Sequence, residues 1–303
     1  MSHGLAVAVV GAGNMGGGML GRLCDLGWSV GVHDTDPQAQ AKAVDLGAVP
    51  LDSAMQAAKS LSPHGVLLVA VVDAAQTEAV LWGEVGHGLG QGAGAHLQAG
   101  QAVMLCPTLA PDTVQSQAQR LSLRGVDCID APMSGGPLRA RDGSMSLMVA
   151  CSDVAWQRHQ PVLNALSQQV FRVGTRAGDG ARTKLVNNLL AAVNLVGSAE
   201  AMVLAERLGL DPATTLSVIE ASSGQSWIGS DRMRRALADD FEPRAHVRLL
   251  AKDTGLAMQV AEAVAFEPML GRLARNLFAQ AMAQGLQDHD DAALLKLMRQ
   301  GRD

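Results

Sequence analysis

In the stretch GDGARTKLVNNLL, Lys184 stands three residues before Asn187 and four before Asn188. On a helix Lys184 and Asn188 would share a face, with Asn187 close to it and neighbours about 5–6 Å apart. An uncharged lysine amine accepts a proton, and an amide beside it can hold a hydroxyl or carbonyl oxygen. Together they suit oxidation of an alcohol, where a base takes the hydroxyl proton. A free lysine titrates near ~10.4, so holding one near neutrality requires roughly 3–5 kcal/mol of destabilisation of the ammonium. Burial and a nearby cation such as Lys252 act in that direction. Taken alone, the segment equally allows a solvated lysine beside asparagines bonded to neighbouring backbone. Histidine is the commoner base, but none of the eight stands in a polar cluster; His3, His33, His87, His96 and His289 lie in tails, loops or at a strand end, and His246 is held in reserve. The chain has no Tyr, which excludes Tyr-x-x-x-Lys chemistry.

Two glycine-bearing stretches could bind what such a base acts with. AVVGAGNMGGGML (8–20) lies between a strand-like run and a helical pattern, the context of a dinucleotide fingerprint. Gly11 permits the tight turn, Gly13 the approach of a pyrophosphate, and Gly16 close helix–strand contact. Gly11, Ala12, Gly13, Asn14, Met15 and Gly16 are thus the candidate phosphate loop, with helix-start amides turned to the anion. About twenty residues on, VGVHDTD ends with Asp34, placed to accept ribose hydroxyls and to repel a ribose phosphate, which favours NAD over NADP. Asp34 could instead cap the helix that begins near Pro37, though Asp36 is better placed for that. The second stretch, DAPMSGGPLRARDG (130–143), follows a strand end. Ser134, Gly135 and Gly136 can present a hydroxyl and successive N–H groups to a carboxylate; alternatively they and Pro132 only shape a turn.

Composition narrows the classes. A chain of 303 residues exceeds the usual single core, which predicts two domains. A hydrophobic fraction of 48% and a net charge of −5 describe a globular chain with no basic surface for nucleic acid. Cys24, Cys106, Cys128 and Cys151 form no Cys-x-x-Cys pair and no His cluster has ligand spacing, so no metal site is expected. Scattered cysteines and an opening without a secretory pattern point to the cytoplasm. The longest apolar stretch (185–205) carries Asn187, Asn188, Asn194 and Glu200, which are costly in lipid; a core helix is expected there, not a membrane span.

The elements that must position these groups follow from periodicity. Residues 5–10, 29–33, 66–72, 102–106 and 126–130 are nearly continuous apolar runs, as in parallel strands covered on both faces. Helical patterns near 15–26, 37–46, 74–82 and 111–122 alternate with them, which predicts an α/β doubly wound sheet. Runs 144–150 and 169–173 add two strands about a helix near 153–166. GTRAGDG (174–180) then breaks the pattern, and only helical periods follow, near 181–208, 213–221, 230–238, 246–265, 268–285 and 290–299. The expected division is 1–175, a nucleotide-binding α/β domain, and 176–303, an all-helical domain. The first helix of the latter would be roughly 40 Å long, too long and too apolar for a small domain to cover, which predicts a homodimer or homotetramer. GEVGHGLGQGAGAH (83–96) follows a helix and precedes a strand, so a surface loop is expected there and no phosphate site.

In this order the pieces resemble the β-hydroxyacid dehydrogenase family, which includes 3-hydroxyisobutyrate dehydrogenase, tartronate semialdehyde reductase and, more distantly, 6-phosphogluconate dehydrogenase. The landmarks GAGNMGGGM (11–19), DAPMSGG (130–136), GDGARTKLVNN (178–188) and KDTGLA (252–257) run through nearly the whole chain. The resemblance implies an NAD(P)-dependent oxidoreductase acting on the CH–OH group of a small hydroxy acid, or on a semialdehyde in reverse. It implies a Rossmann-type domain, a helical oligomerisation domain, and an active site in the cleft between them. It implies Lys184 as general acid/base, Asn188 with Asn187 as substrate-positioning amides, and Ser134, Gly135 and Gly136 as the carboxylate site. Lys252 matches a lysine that closes over the nicotinamide side. Val71, Val72 and Gln76 fall where the family lines the cofactor pocket, and Thr108 matches a nicotinamide-proximal threonine. Pro107 departs from the family's usual Ser, removing a hydroxyl and an N–H beside that threonine. VVDAAQTEAVLWGE (71–84) and EASSGQSW (220–227) are most similar to the L-threonate dehydrogenase branch, which implies that Ser223, Gly224 and Trp227 frame a sugar acid. Imine-reducing relatives lack the lysine, and a nucleotide sensor would bind NAD without turnover.

Overall fold

The computed structural model describes residues 4–83 and 92–300. The chain forms two compact units, Met1–Lys184 and Leu185–Asp303.

Among its described residues the first unit has nine strands: β1 (Leu5–Val10), β2 (Val30–His33), β3 (Val49–Pro50), β4 (Leu61–Val69), β5 (Ala102–Leu105), β6 (Asp127–Asp130), β7 (Met133–Ser134), β8 (Ser146–Ala150) and β9 (Gln169–Gly174). They lie in the order β3-β2-β1-β4-β5-β6-β8-β7, with β9 paired to β8. From β3 to β6 every pairing is parallel, whereas β8 runs antiparallel to β6 and β7. Along β1, Val7 and Val9 enter one buried cluster and Ala8 and Val10 the other. Both faces are covered, so the alternating side chains read as one unbroken apolar run.

Among the described residues seven helices lie wholly within this unit: α1 (Asn14–Asp25), α2 (Pro37–Asp45), α3 (Ala54–Ser60), α4 (Ala74–Trp82), α5 (Pro111–Ser122), α6 (Gly136–Asp142) and α7 (Asp153–Leu166). Their starts follow local chemistry. Asp36 caps α2 by accepting from Gln38 N at 2.9 Å, beside Pro37 in the first turn. Asp73 caps α4 through Gln76 N, and Ser152 caps α7 through Ala155 N. Four elements escaped the sequence pattern. α3 and α6 are seven residues each and β3 and β7 two each, too short to show a period. The glycine-rich stretch needs correction in part. Residues 84–91, with His87, lie outside the described residues, as does His3. Ala93–Ala95, however, is a 3₁₀ turn with Ala93 and Gly94 buried, not an exposed loop.

α8 (Asp179–Arg207) begins in the first unit and runs on through the second. At 29 residues it is long and apolar enough, by length and composition, to cross a membrane; here Ala192, Leu195, Val196, Ala199 and Met202 are buried in the second unit's core. Around them lie α9 (Pro212–Glu220), α10 (Trp227–Leu237), α11 (Val247–Ala263), α12 (Met269–Ala283) and α13 (Leu294–Gln300). Among the described residues this unit has no strand, only a bridge between His246 and Asp290. Phe278, Met233 and Leu295 centre the core. Arg232 and Arg235 of α10 are buried with carboxylate partners: Arg232 Nε lies 2.5 Å from Asp291 and Arg235 Nη2 2.8 Å from Asp290.

Candidate active site

The strand order reverses between β1 and β4, where an open α/β sheet leaves a crevice at its carboxyl edge. The loop from β1 to α1 sits there. Gly11 has φ +93°, and a Cβ on it would lie 2.8 Å from the Ala70 carbonyl oxygen. A Cβ at Gly16 would run into the Gly11 carbonyl oxygen, so α1 folds back on its own loop only with glycine at that position. Gly13 faces open space, and no side chain caps the first turn of α1. A helix start without a side-chain cap, approached by a loop without Cβ atoms, has the form of a phosphate cradle. The residues present therefore fit a dinucleotide.

Asp34, after β2, is tied to this loop. Its Oδ2 accepts from Ala12 N at 2.6 Å and its Oδ1 from Asp36 N at 2.8 Å. Capping of α2 falls to Asp36, so Asp34 is left for the loop. On the neighbouring edge Gln76 Oε1 accepts from Val72 N at 2.8 Å, folding α4 back over residues 71–72, with Val71 half-buried and Val72 exposed. After β5, Cys106 N donates to Val69 O at 3.0 Å; Pro107 is buried and Thr108 half-buried before α5 begins.

The DAPMSGG stretch is not the simple turn its composition allows. Met133 and Ser134 pair with β8, and Gly136 opens α6. Gly135 and Gly136 have φ +133° and +77°, a backbone that L side chains rarely adopt, and Gly136 faces open space. Successive glycines in this conformation next to the Ser134 hydroxyl can offer donors to an anion.

Asp130, at the start of the same stretch, has a role that its spacing did not reveal. Its Oδ2 accepts from Gly178 N at 2.8 Å and from Ala181 N at 3.1 Å, at the start of α8. The side chain is 1% exposed, and burial pushes its pKa up to about 6 against the lowering effect of those amides. Lys184 follows on α8, itself buried at 7% exposure.

In the second unit, polar groups from distant stretches join. Asn187 is exposed and its Nδ2 donates to Asn188 Oδ1 at 3.0 Å. Asn188, buried, donates from Nδ2 to Asp253 Oδ2 at 2.6 Å. Lys252 Nζ stands 3.2 Å from Asp253 Oδ1. Asp253 belongs to the KDTGLA stretch, yet the resemblance pointed to Lys252 alone. A carboxylate only accepts, so the contact fixes which end of the Asn188 amide is which. Trp227 opens α10 and is 45% exposed, with the Arg232 guanidinium 5.9 Å from its ring; Ser223 and Gly224 are exposed in the preceding turn. The reserve histidine, His246, precedes α11 with Nδ1 2.9 Å from the Asp288 carbonyl oxygen.

The chain is similar to known proteins over almost its whole length. Residues 6–174 match the family model described as the NAD binding domain of 6-phosphogluconate dehydrogenase. Residues 178–298 match the model described as NAD-binding of NADP-dependent 3-hydroxyisobutyrate dehydrogenase. An L-threonate dehydrogenase of Escherichia coli K12 is 36% identical over 292 residues, covering 96% of this chain and 94% of that protein. A 3-hydroxyisobutyrate dehydrogenase of Pseudomonas aeruginosa is 34% identical, covering 98% and 99%. The crystal structure of a 3-hydroxyisobutyrate dehydrogenase from Salmonella typhimurium superposes with a TM-score of 0.87 at 33% identity, covering 96% and 99%.

Proposed function

The chain belongs to the β-hydroxyacid dehydrogenase family, an NAD-dependent oxidoreductase of CH–OH groups, and on that premise we propose that it oxidises a small sugar acid of the L-threonate type with Lys184 as the general acid/base. The observation that carries this is a lysine at 7% exposure, one helical turn before an amide that a buried carboxylate orients. Water is what stabilises an ammonium, and its removal suits a proton acceptor.

In this mechanism Ser134, Gly135 and Gly136 bind the substrate carboxylate. Lys184 and Asn188 bind the reacting hydroxyl, with Asn187 assisting. As the alcohol becomes a carbonyl, the hydroxyl proton passes to the Lys184 amine while Asn188 keeps the oxygen in place. Bound nicotinamide supplies the acceptor for the two electrons and the carbon-bound hydrogen. Gly11, Ala12, Gly13, Asn14, Met15 and Gly16 hold the pyrophosphate; Asp34 takes the ribose hydroxyls and disfavours NADP; Val71, Val72, Gln76, Thr108 and Lys252 line the rest of the cofactor site. Trp227, with Ser223 and Gly224, shapes the substrate end. The 36% identity to L-threonate dehydrogenase supports a sugar acid.

We take the functional division to be 1–175 and 176–303; the gap between the stretches 6–174 and 178–298 matched by the family models supports it. The exposed Val186, Leu190 and Leu204 of α8 and Met269, Leu270 and Leu273 of α12 support a homodimer or homotetramer. The free cysteines, with Cys106, Cys128 and Cys151 raised in pKa by burial, support a reducing cytoplasm.

The test is a panel of L-threonate, erythronate, glycerate and 3-hydroxyisobutyrate with NAD and with NADP, followed by nicotinamide absorbance. The highest kcat/KM is expected for L-threonate with NAD. A preference for 3-hydroxyisobutyrate, or turnover only of a semialdehyde with reduced cofactor, would replace the substrate assignment; binding of NAD without turnover of any acid would contradict the enzyme itself.

A further inference from the structure

We propose that Asp130 is a positioning residue for the proton acceptor: its carboxylate clamps the first turn of α8 to the carboxyl end of β6 and so fixes where Lys184 stands. The proposal rests on the assignment of Lys184 as the base. Asp130 Oδ2 takes both Gly178 N, at 2.8 Å, and Ala181 N, at 3.1 Å. Ala181 is three residues, almost one turn, before Lys184. A Cβ at Gly180 would lie 2.8 Å from Asp130 Cγ, so the helix start comes down onto the carboxylate as closely as a backbone can. The strand end is itself held, by Ala131 N donating to Leu105 O and Met148 N to Pro132 O, both at 2.9 Å. Ser134 follows Asp130 by four residues. One carboxylate thus ties the carboxylate-binding stretch and the helix carrying the base to the same strand end.

The electrostatics fit a group retained for placement rather than for stability. Burial raises the Asp130 pKa to about 6, and Asp179 on α8 adds to this, while Arg176 and Arg182 flank Asp179. The thiols of Cys106, Cys128 and Cys151 also face Asp130. A folded-state pKa above the ordinary carboxylate value means that Asp130 favours folding most at acid pH. That contribution is lost as pH rises from the ordinary carboxylate range through about 6, so at pH 8 the ionised clamp is the less favourable of its two forms. A neutral cap would satisfy the same amides without that penalty.

The experiment compares D130N and D130A with the wild type and with K184M, measuring kcat, the NAD dissociation constant, the pH dependence of kcat/KM, and thermal unfolding at pH 8. D130A is expected to lose about 100-fold in kcat with NAD affinity nearly unchanged, as for a catalytic group displaced by about 1 Å. Its lysine-dependent limb in the pH profile should shift. D130N keeps an acceptor oxygen, so it should turn over at an intermediate rate and unfold no earlier than the wild type at pH 8, an outcome a purely structural cap would not give. In the unmodified protein the Gly178 and Ala181 amides should be strongly protected from hydrogen exchange at pH 7.5 and no less protected at pH 5, since the neutral carboxyl still accepts and is the form the fold favours; this holds the proposal to account even where a variant fails to fold. Wild-type kcat and an unshifted profile in a folded Asp130 variant, or Gly178 and Ala181 amides that exchange as freely as solvent-exposed ones, overturn the clamp. If K184M keeps its activity, the base assignment fails instead.

Discussion

Asp253 is buried on α11 between two groups that the sequence had singled out: it accepts from Asn188 Nδ2 at 2.6 Å and stands 3.2 Å from Lys252 Nζ. With the carboxylate gone, the Asn188 amide loses the partner that sets its orientation. D253A is therefore expected to lower kcat by about 10- to 100-fold while leaving NAD affinity nearly unchanged. D253N can still accept through its amide oxygen, but without the charge that shortens and strengthens the contact, and should lie between. Steady-state kinetics with an NAD titration checks both; equal loss of NAD affinity and kcat would place Asp253 in the cofactor site instead. At this scale Lys184 and Asn188 were legible because polar side chains are conspicuous in an apolar helix. Asp253 was not, because its partner is 65 residues away and neither residue indicates the other. Asp130 was hidden similarly, 48 residues from the amide it accepts from.

α1 and α6 meet closely because α1 carries glycines beyond those that the nucleotide loop needs. A Cβ at Gly18 would lie 2.9 Å from the Pro137 carbonyl oxygen and 3.0 Å from Ala140 Cβ. G18V should push α6 away and with it Gly135 and Gly136, costing about 1–3 kcal/mol of stability through overpacking. The KM for the acid should rise more than the KM for NAD. Denaturant unfolding and paired KM measurements decide this; an unchanged stability would show that the helices yield freely. Long elements were legible because cap and period coincide: α4, α5 and α7 begin and end where the pattern placed them. α6 was not, since GGPLRARDG carries the glycines and proline of a turn, and a seven-residue helix shows no apolar stripe.

The whole chain was legible as a doubly wound sheet followed by helices, because covered strands are apolar throughout and α8 is a single long apolar run. The antiparallel pairing of β8 with β6 was not, because strand direction leaves no mark on side-chain burial when both faces are covered. Lys184 is not among the residues of the nucleotide loop (11–16), so binding and chemistry should separate on substitution. K184M is the most direct test: NAD titration together with turnover of the preferred hydroxy acid. Unchanged NAD affinity is expected, with kcat lowered by about 100- to 10,000-fold, the range for removal of a general base. Comparable turnover in that variant would contradict the account.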